Sequence, residues 1–228
     1  MSVAIEGTPQ VIVEGGSYTA ETTGSDRAVV FVIHAVYSVN FDIGTPTMGS
    51  QNCTEAIQDG STDKVASGIF YIKDADIPTG SQVVSGNFAI TPDGSQITCF
   101  TLSGVDQTIP VFDTATLYAG SGNTETVSGL TSAANGISIA GGNWRSGDAT
   151  FNTDPVSDGY TQVAEGELAG TGPSASHYKS TDGTDESFTY TELNGIHAVV
   201  GATFQPTTSG GFQAAWARNA NSIIGTTT

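Results

Sequence analysis

Ala28-Val29-Val30-Phe31-Val32-Ile33-His34-Ala35-Val36 is apolar at nearly every position and rich in β-branched side chains. A strand with one wet face alternates apolar and polar residues. A strand covered on both faces reads as a continuous apolar run, and this stretch is of the second kind. Shorter segments of the same character surround it: Gln10–Val13, Gly68–Ile72, Gln82–Ile90, Ile97–Leu102, Ile137–Ala140, Tyr160–Val163, Ser174–Lys179, Ser187–Thr191 and Ala198–Phe204. Turn chemistry separates them at Pro92-Asp93-Gly94, Gly120-Ser121-Gly122-Asn123, Asp158-Gly159, Thr181-Asp182-Gly183 and Asn194-Gly195. This rhythm predicts an all-β, antiparallel, jelly-roll-like sandwich.

Composition agrees. The 228 residues include 29 glycines, and only 13% are charged, so the polar surface is built mainly from Ser, Thr, Asn, Gln and Gly. Leucine is rare (Leu102, Leu117, Leu130, Leu168 and Leu193), which argues against a helical core. Residues 1–206 read as the sandwich and 207–228 as a C-terminal docking tail. Val29 to Tyr71-Ile72-Lys73 and Ile137 to Tyr178-Lys179 span nearly equal intervals. The sandwich reads either as a pseudo-duplicated pair of halves, 1–111 and 128–206, with 112–127 as the connection, or as showing only the recurrence common to β proteins.

The formal charge is −17, from 23 acidic residues against six scattered basic ones. No cationic patch exists for a phosphate backbone or an anionic bilayer, so neither nucleic acid nor membrane insertion is expected. The start, Met-Ser-Val-Ala-Ile-Glu, lacks the basic and apolar runs of a secretory signal. Cys53 lies in a polar stretch and Cys99 in an apolar one, and their spacing leaves pairing open.

Candidate chemistry is sparse. His34 sits inside the apolar run and reads as a core residue, while His177 and His197 read as strand-end residues. None lies near a nucleophile elbow, and the chain is not expected to be an enzyme. Acidic pairs such as Asp74/Asp76 and Glu165/Glu167 read as solvated turns. Asp182, Asp185 and Glu186 have spacing reminiscent of a calcium loop without completing the pattern, so calcium is a weak candidate and no cofactor is expected. Tyr37, Trp144, Tyr160 and Trp216 could form a sugar-stacking platform or fill a core. The apolar tail residues Phe212, Trp216, Ile223 and Ile224 are the candidate interface with a partner subunit.

Three segments resemble phage and prophage-encoded β-sandwich proteins: Leu102-Ser103-Gly104-Val105-Asp106-Gln107-Thr108-Ile109-Pro110-Val111, Gly159-Tyr160-Thr161-Gln162-Val163, and Ala214–Gly225. The second carries Tyr where those proteins have Trp. The resemblance implies a virion structural protein assembled in the host cytoplasm: a capsid decoration, tail accessory or fibre component. It implies contacts with other virion proteins and brings no catalytic residues. The absence of heptad or collagen-like repeats favours a compact decoration or accessory over a long fibre. Assembly symmetry suggests a homo-oligomer, a trimer suiting a capsid three-fold site. The alternative expectation is a carbohydrate-binding or adhesive module, calcium-dependent or not, that touches host-surface glycans.

Overall fold

The computed structural model describes residues 1–37, 39, 42–59, 64–119, 124–145, 158–168, 172–191 and 196–207. The protein is all-β, with antiparallel sheets packed as a sandwich and no α-helix among the described residues. The apolar stretch is β3 (Ala28–Val36), buried at all nine positions. It is the middle strand of a five-stranded sheet, flanked by β7 (Val65–Lys73) and β9 (Gly94–Ser103), with β1 (Ala4–Ile12) and β6 (Thr54–Asp59) at the edges.

Period-two alternation explains why β3 carries no polar face. Val29, Phe31, Ile33 and Ala35 pack towards a smaller sheet built from β2 (Ser17–Thr19), β8 (Ser81–Ser85), β4 (Thr47–Met48) and β5 (Gln51–Asn52). Ala28, Val30 and Val32 point the other way, into a core shared with a second five-stranded sheet. That sheet runs β10 (Val111–Ala119), β16 (Ile196–Phe204), β12 (Ala134–Arg145), β14 (Pro173–Asp182) and β13 (Thr161–Glu167). Its far face is covered by the pair β11 (Thr124–Leu130) and β15 (Glu186–Thr191), through Phe188, Tyr190, Trp144 and Tyr160. The result is four layers and three apolar seams. Both central sheets are sealed on both sides, at roughly 2 kcal/mol for each large apolar side chain removed from water.

The strand orders of the two large sheets follow one scheme, β1-β9-β3-β7-β6 and β10-β16-β12-β14-β13. Each set closes as nested antiparallel pairs: β1 with β9, β2 with β8 and β3 with β7, then β10 with β16, β11 with β15 and β12 with β14. The expected connection 112–127 is therefore corrected. It supplies most of β10 and the start of β11, strands that belong to the second set. Val111–Ala119 reads weakly as a strand because it is an edge with half-buried Thr and Asp, lacking the apolar alternation of a core strand. The link between the sets is the short stretch from Gly104 to Pro110.

All four edge strands of the large sheets carry a register shift, whereas the ladders of β3 with β7 and β9, and of β12 with β16, run without one. The bulges on the edge strands spoil the flat row of donors and acceptors that invites pairing with another chain; the inner ladder of β12 with β14 is also shifted, between Ala134 and Ile137.

Candidate functional site

The three histidines are all interior. His34 lies between the two large sheets, with Nδ1 3.0 Å from Ser67 Oγ and Nε2 3.2 Å from Ser176 Oγ. Ser67 donates to the Ala198 carbonyl at 3.1 Å, and Thr98 donates to Ser176 at 3.0 Å. One hydrogen-bond polarity satisfies the whole chain. His34 Nδ1–H donates to Ser67, and Ser176 donates to a neutral Nε2. Burial pushes His34 down to about 3, the neighbouring His177 adding to the shift and the Ala175 carbonyl opposing it.

His177 faces the other seam, 3.2 Å from the Tyr190 hydroxyl, and burial pushes it down to about 4. His197 Nε2 is 3.2 Å from Glu125. Sequence reasoning placed His177 in a strand and His197 just after a turn, both as ordinary strand-end residues. His197 is the second residue of β16 and His177 lies inside β14, and both are buried.

Around His34 runs a polar seam joining the two large sheets. Ser174 donates to Gln96 Oε1 at 3.1 Å, and Asn143 Nδ2 donates to the carbonyls of Ala35 and Ala66 at 2.8 and 3.2 Å. The sequence contained one clue to it. Ser174 and Ser176 alternate, placing two hydroxyls on one face of a strand, but nothing local shows what they meet.

Tyr37, Trp144 and Tyr160 are each at most 2% exposed and belong to the cores, which removes them from a sugar-stacking surface. Tyr160 bonds Ser138 at 2.7 Å and lies under the Lys179 ammonium, 5.6 Å from its ring centre. Trp216, like Phe212, Ile223 and Ile224, lies outside the described residues.

The weak calcium candidates do not converge. Asp182 Oδ1 accepts from the Thr184 amide and hydroxyl, which holds its carboxyl below the usual range. Glu186 is buried and paired with Lys179 at 2.8 Å, and Asp185 is exposed in the turn between them. Among the described residues no group of three or more His, Cys, Asp or Glu is placed to hold a metal ion. Cys53 and Cys99 are free thiols in the first seam. Burial pushes Cys53 up to about 12 and Cys99 higher still.

The segment 102–111 is the junction between the strand sets. Asp106 Oδ1 accepts the Thr108 and Ile109 amides, tightening the turn. Gln107 donates to the Arg27 carbonyl and accepts the Asp74 amide. Asp74 in turn takes a forked bond from Arg27 at 2.9 and 2.7 Å. On the second set's side, Gln205 binds the carbonyl of Ile109 and Asp106 N–H reaches the Gln205 carbonyl.

Among the described residues lies an open groove of about 610 Å³ lined by Val11, Val13, Glu14, Pro92, Asp93 and Leu168. Val11 and Val13 stand on one face of the β1 end, 46% and 67% exposed, and Ile90 nearby is 47% exposed. Glu14 is held by Ser85 Oγ and the Gly86 amide at 2.6 and 2.7 Å. Gly94 lets Leu168 of the second set close the groove, since a Cβ there would stand 2.8 Å from the Leu168 backbone. The groove brings apolar surface together with two carboxylates and the hydroxyls of Thr91 and Ser95.

No family model matches the chain, and no curated protein or solved structure was found similar to it.

Proposed function

We propose that the protein is a phage virion structural protein, a capsid decoration or tail accessory that works through protein–protein contacts rather than catalysis. The observation carrying this reading is the strand order of the first set. With β6 set aside, its eight strands make two facing layers, β1-β9-β3-β7 and β2-β8-β4-β5, in which β1 pairs β9, β2 pairs β8, β3 pairs β7 and β4 pairs β5. We read this as a long antiparallel hairpin rolled upon itself, in the manner of the jelly rolls that recur in viral capsid and lectin domains. The resemblance of residues 102–111 to phage sandwich proteins supports the same reading, and that motif holds the fold's central junction.

The chemistry of the surface fits an attachment role. His34 and His177 bond internally and His197 lies beside Glu125, and the solvent-facing apolar side chains Val11 and Val13 line the groove. The proposed partners are capsid or tail proteins and further copies of the chain, in a homo-oligomer such as a trimer. The acidic exterior reduces unspecific association, nucleic acid and membrane are not among its partners, and the protein resides in the virion after assembly in the host cytoplasm.

The test is quantitative mass spectrometry and cryo-electron microscopy of purified particles. A fixed copy number per particle, with density matching the four-layered sandwich, is expected. Particles of the same phage that lack the protein overturn the proposal. A glycan array with and without calcium tests the adhesive alternative on the same protein.

A further inference from the structure

The central strands of the two sets correspond residue by residue. Aligning Val30 of β3 with Ile139 of β12 also aligns their neighbours: Val30 pairs Tyr71 and Phe100, and Ile139 pairs Tyr178 and Ala202. The match holds without a shift from Ala28 to His34 against Ile137 to Asn143. It extends to one edge of each sheet, β6 and β13, whereas β1 and β10 bulge at different positions. Thr54 pairs Tyr71 and Thr161 pairs Tyr178, and the bulge that follows falls at one position in both, between Glu55 and Ile57 and between Gln162 and Ala164. A bulge is a specific inserted residue, so its recurrence at a matched position is hard to obtain from unrelated strands.

The packing of the sets is reciprocal in part, although β16 approaches β7 and β6, and β12 approaches β7, more closely than β9 and β3 approach β14 and β13. β1 lies against β13 and its counterpart β10 against β6, while β3 lies on its own counterpart β12. Ser67 on β7 reaches residue 198 on β16. Its counterpart Ser174 on β14 reaches Gln96 on β9, the counterpart of residue 198. Tyr71 stacks edge-on against Phe204 at 6.1 Å, and Tyr178 against Phe100 at 6.3 Å, the second contact displaced by one residue pair along the strand. At the centre Val32 meets its own counterpart. A Cβ on Gly141 would stand 2.6 Å from Val32 Cγ1. Paired contacts of this kind, with one position touching its own copy, are those of an approximately two-fold, isologous interface.

We infer that the chain is a fused dimer. The inner face of β3, β7 and β9 is a self-recognition surface whose partner is a second copy of the same unit, supplied here in the same chain by β12, β14 and β16. The valine–glycine pair on the axis adds selectivity. Two first units would set Val32 against Val32 where the fold has room for one side chain, so each first unit takes the second rather than another of its own kind. This inference is independent of what the protein attaches to.

The test places a protease site at the exposed Thr108–Ile109 link, cleaves the folded protein, and follows the fragments by native mass spectrometry. Cleaved wild-type protein is expected to stay a one-to-one complex of unlike fragments, with a Tm that now depends on concentration. With Val32→Ala, pairs of two N-terminal fragments are expected as well. Fragments that separate on cleavage, or Val32→Ala fragments that never self-pair, overturn the inference. In the uncut chain, Gly141→Val is expected to lower Tm by on the order of 10 °C. Adding Val32→Gly is expected to recover more than half of that loss, and no recovery means that the axial contact is not where the two units meet.

Discussion

His34 gives the protein a calculable sensitivity to acid. In the fold its imidazole is neutral, donating to Ser67 and accepting from Ser176, and it stays so down to about pH 3. In the unfolded chain it takes up a proton below about pH 6.5. The unfolded state therefore binds the extra proton, and stability falls as pH drops from about 6.5 towards 3, levelling off below that. At pH 4.5 the gap from the unfolded pKa is about two units, or about 2.7 kcal/mol. His177, pushed down to about 4, adds a similar loss over most of the same window. Together they remove about 5 kcal/mol, comparable with the whole stability of many domains. The assay is urea unfolding at pH 7.0 and pH 4.5 for the wild type and for His34→Asn, the residue that stands at the matched position 143. Asparagine does not titrate, so the variant is expected to lose about 2–3 kcal/mol less than the wild type between the two pH values, whatever its stability at pH 7. Equal losses in both proteins would show that His34 is not held neutral in the seam, and would refute the reasoning.

Three further outcomes follow from the polar contacts and the thiols. Lys179→Met leaves the Glu186 carboxylate buried without its ion partner and should cost about 3 kcal/mol in chemical unfolding, with most of it recovered by adding Glu186→Gln. Asp74→Ala removes the forked bond from Arg27. It is expected to cost about 2 kcal/mol and to raise amide exchange across residues 104–110, because Gln107 holds the Asp74 amide. Cys53 and Cys99 should react with a thiol reagent only as fast as the protein unfolds, since both are buried and their thiolates disfavoured; a rapid native-state reaction would contradict the first seam as described.

The fold was most legible where the chain is driest. Ala28–Val36, Ile97–Leu102 and Ala198–Phe204 are covered on both faces, so their apolar runs announce central strands regardless of context. Turns with a left-handed residue were equally plain: Gly159 and Gly183 have φ of 84° and 96°, as the Asp-Gly pairs suggested. The edges were hidden. β1 begins through Glu6, Gly7 and Pro9, β6 is half-buried, and β10 mixes Asp and Thr with apolar residues, because an edge strand answers to solvent as much as to the core. The near-equal spacings of Tyr71 and Tyr178 pointed to matched strands. The boundary at 112–127 was misplaced because β10 and β11 carry little of that apolar signal. The polar seam was illegible for a different reason. His34, Ser67, Thr98, Asn143 and Ser176 come from five strands, and only the stacking of two sheets makes them neighbours.

The nesting of strands also sets a timetable for biosynthesis. Every ladder of the first large sheet closes within residues 4–103, so the first unit's strand pairing is complete before the second is translated. Its inner face, with Val30, Val32, Ile69, Phe100 and Leu102, must wait for β12 and β16. At ordinary rates of synthesis that greasy surface stands open on the nascent chain for roughly 5–20 s. Slowing the ribosome between the two units should therefore lengthen the period in which the half-made protein needs a chaperone.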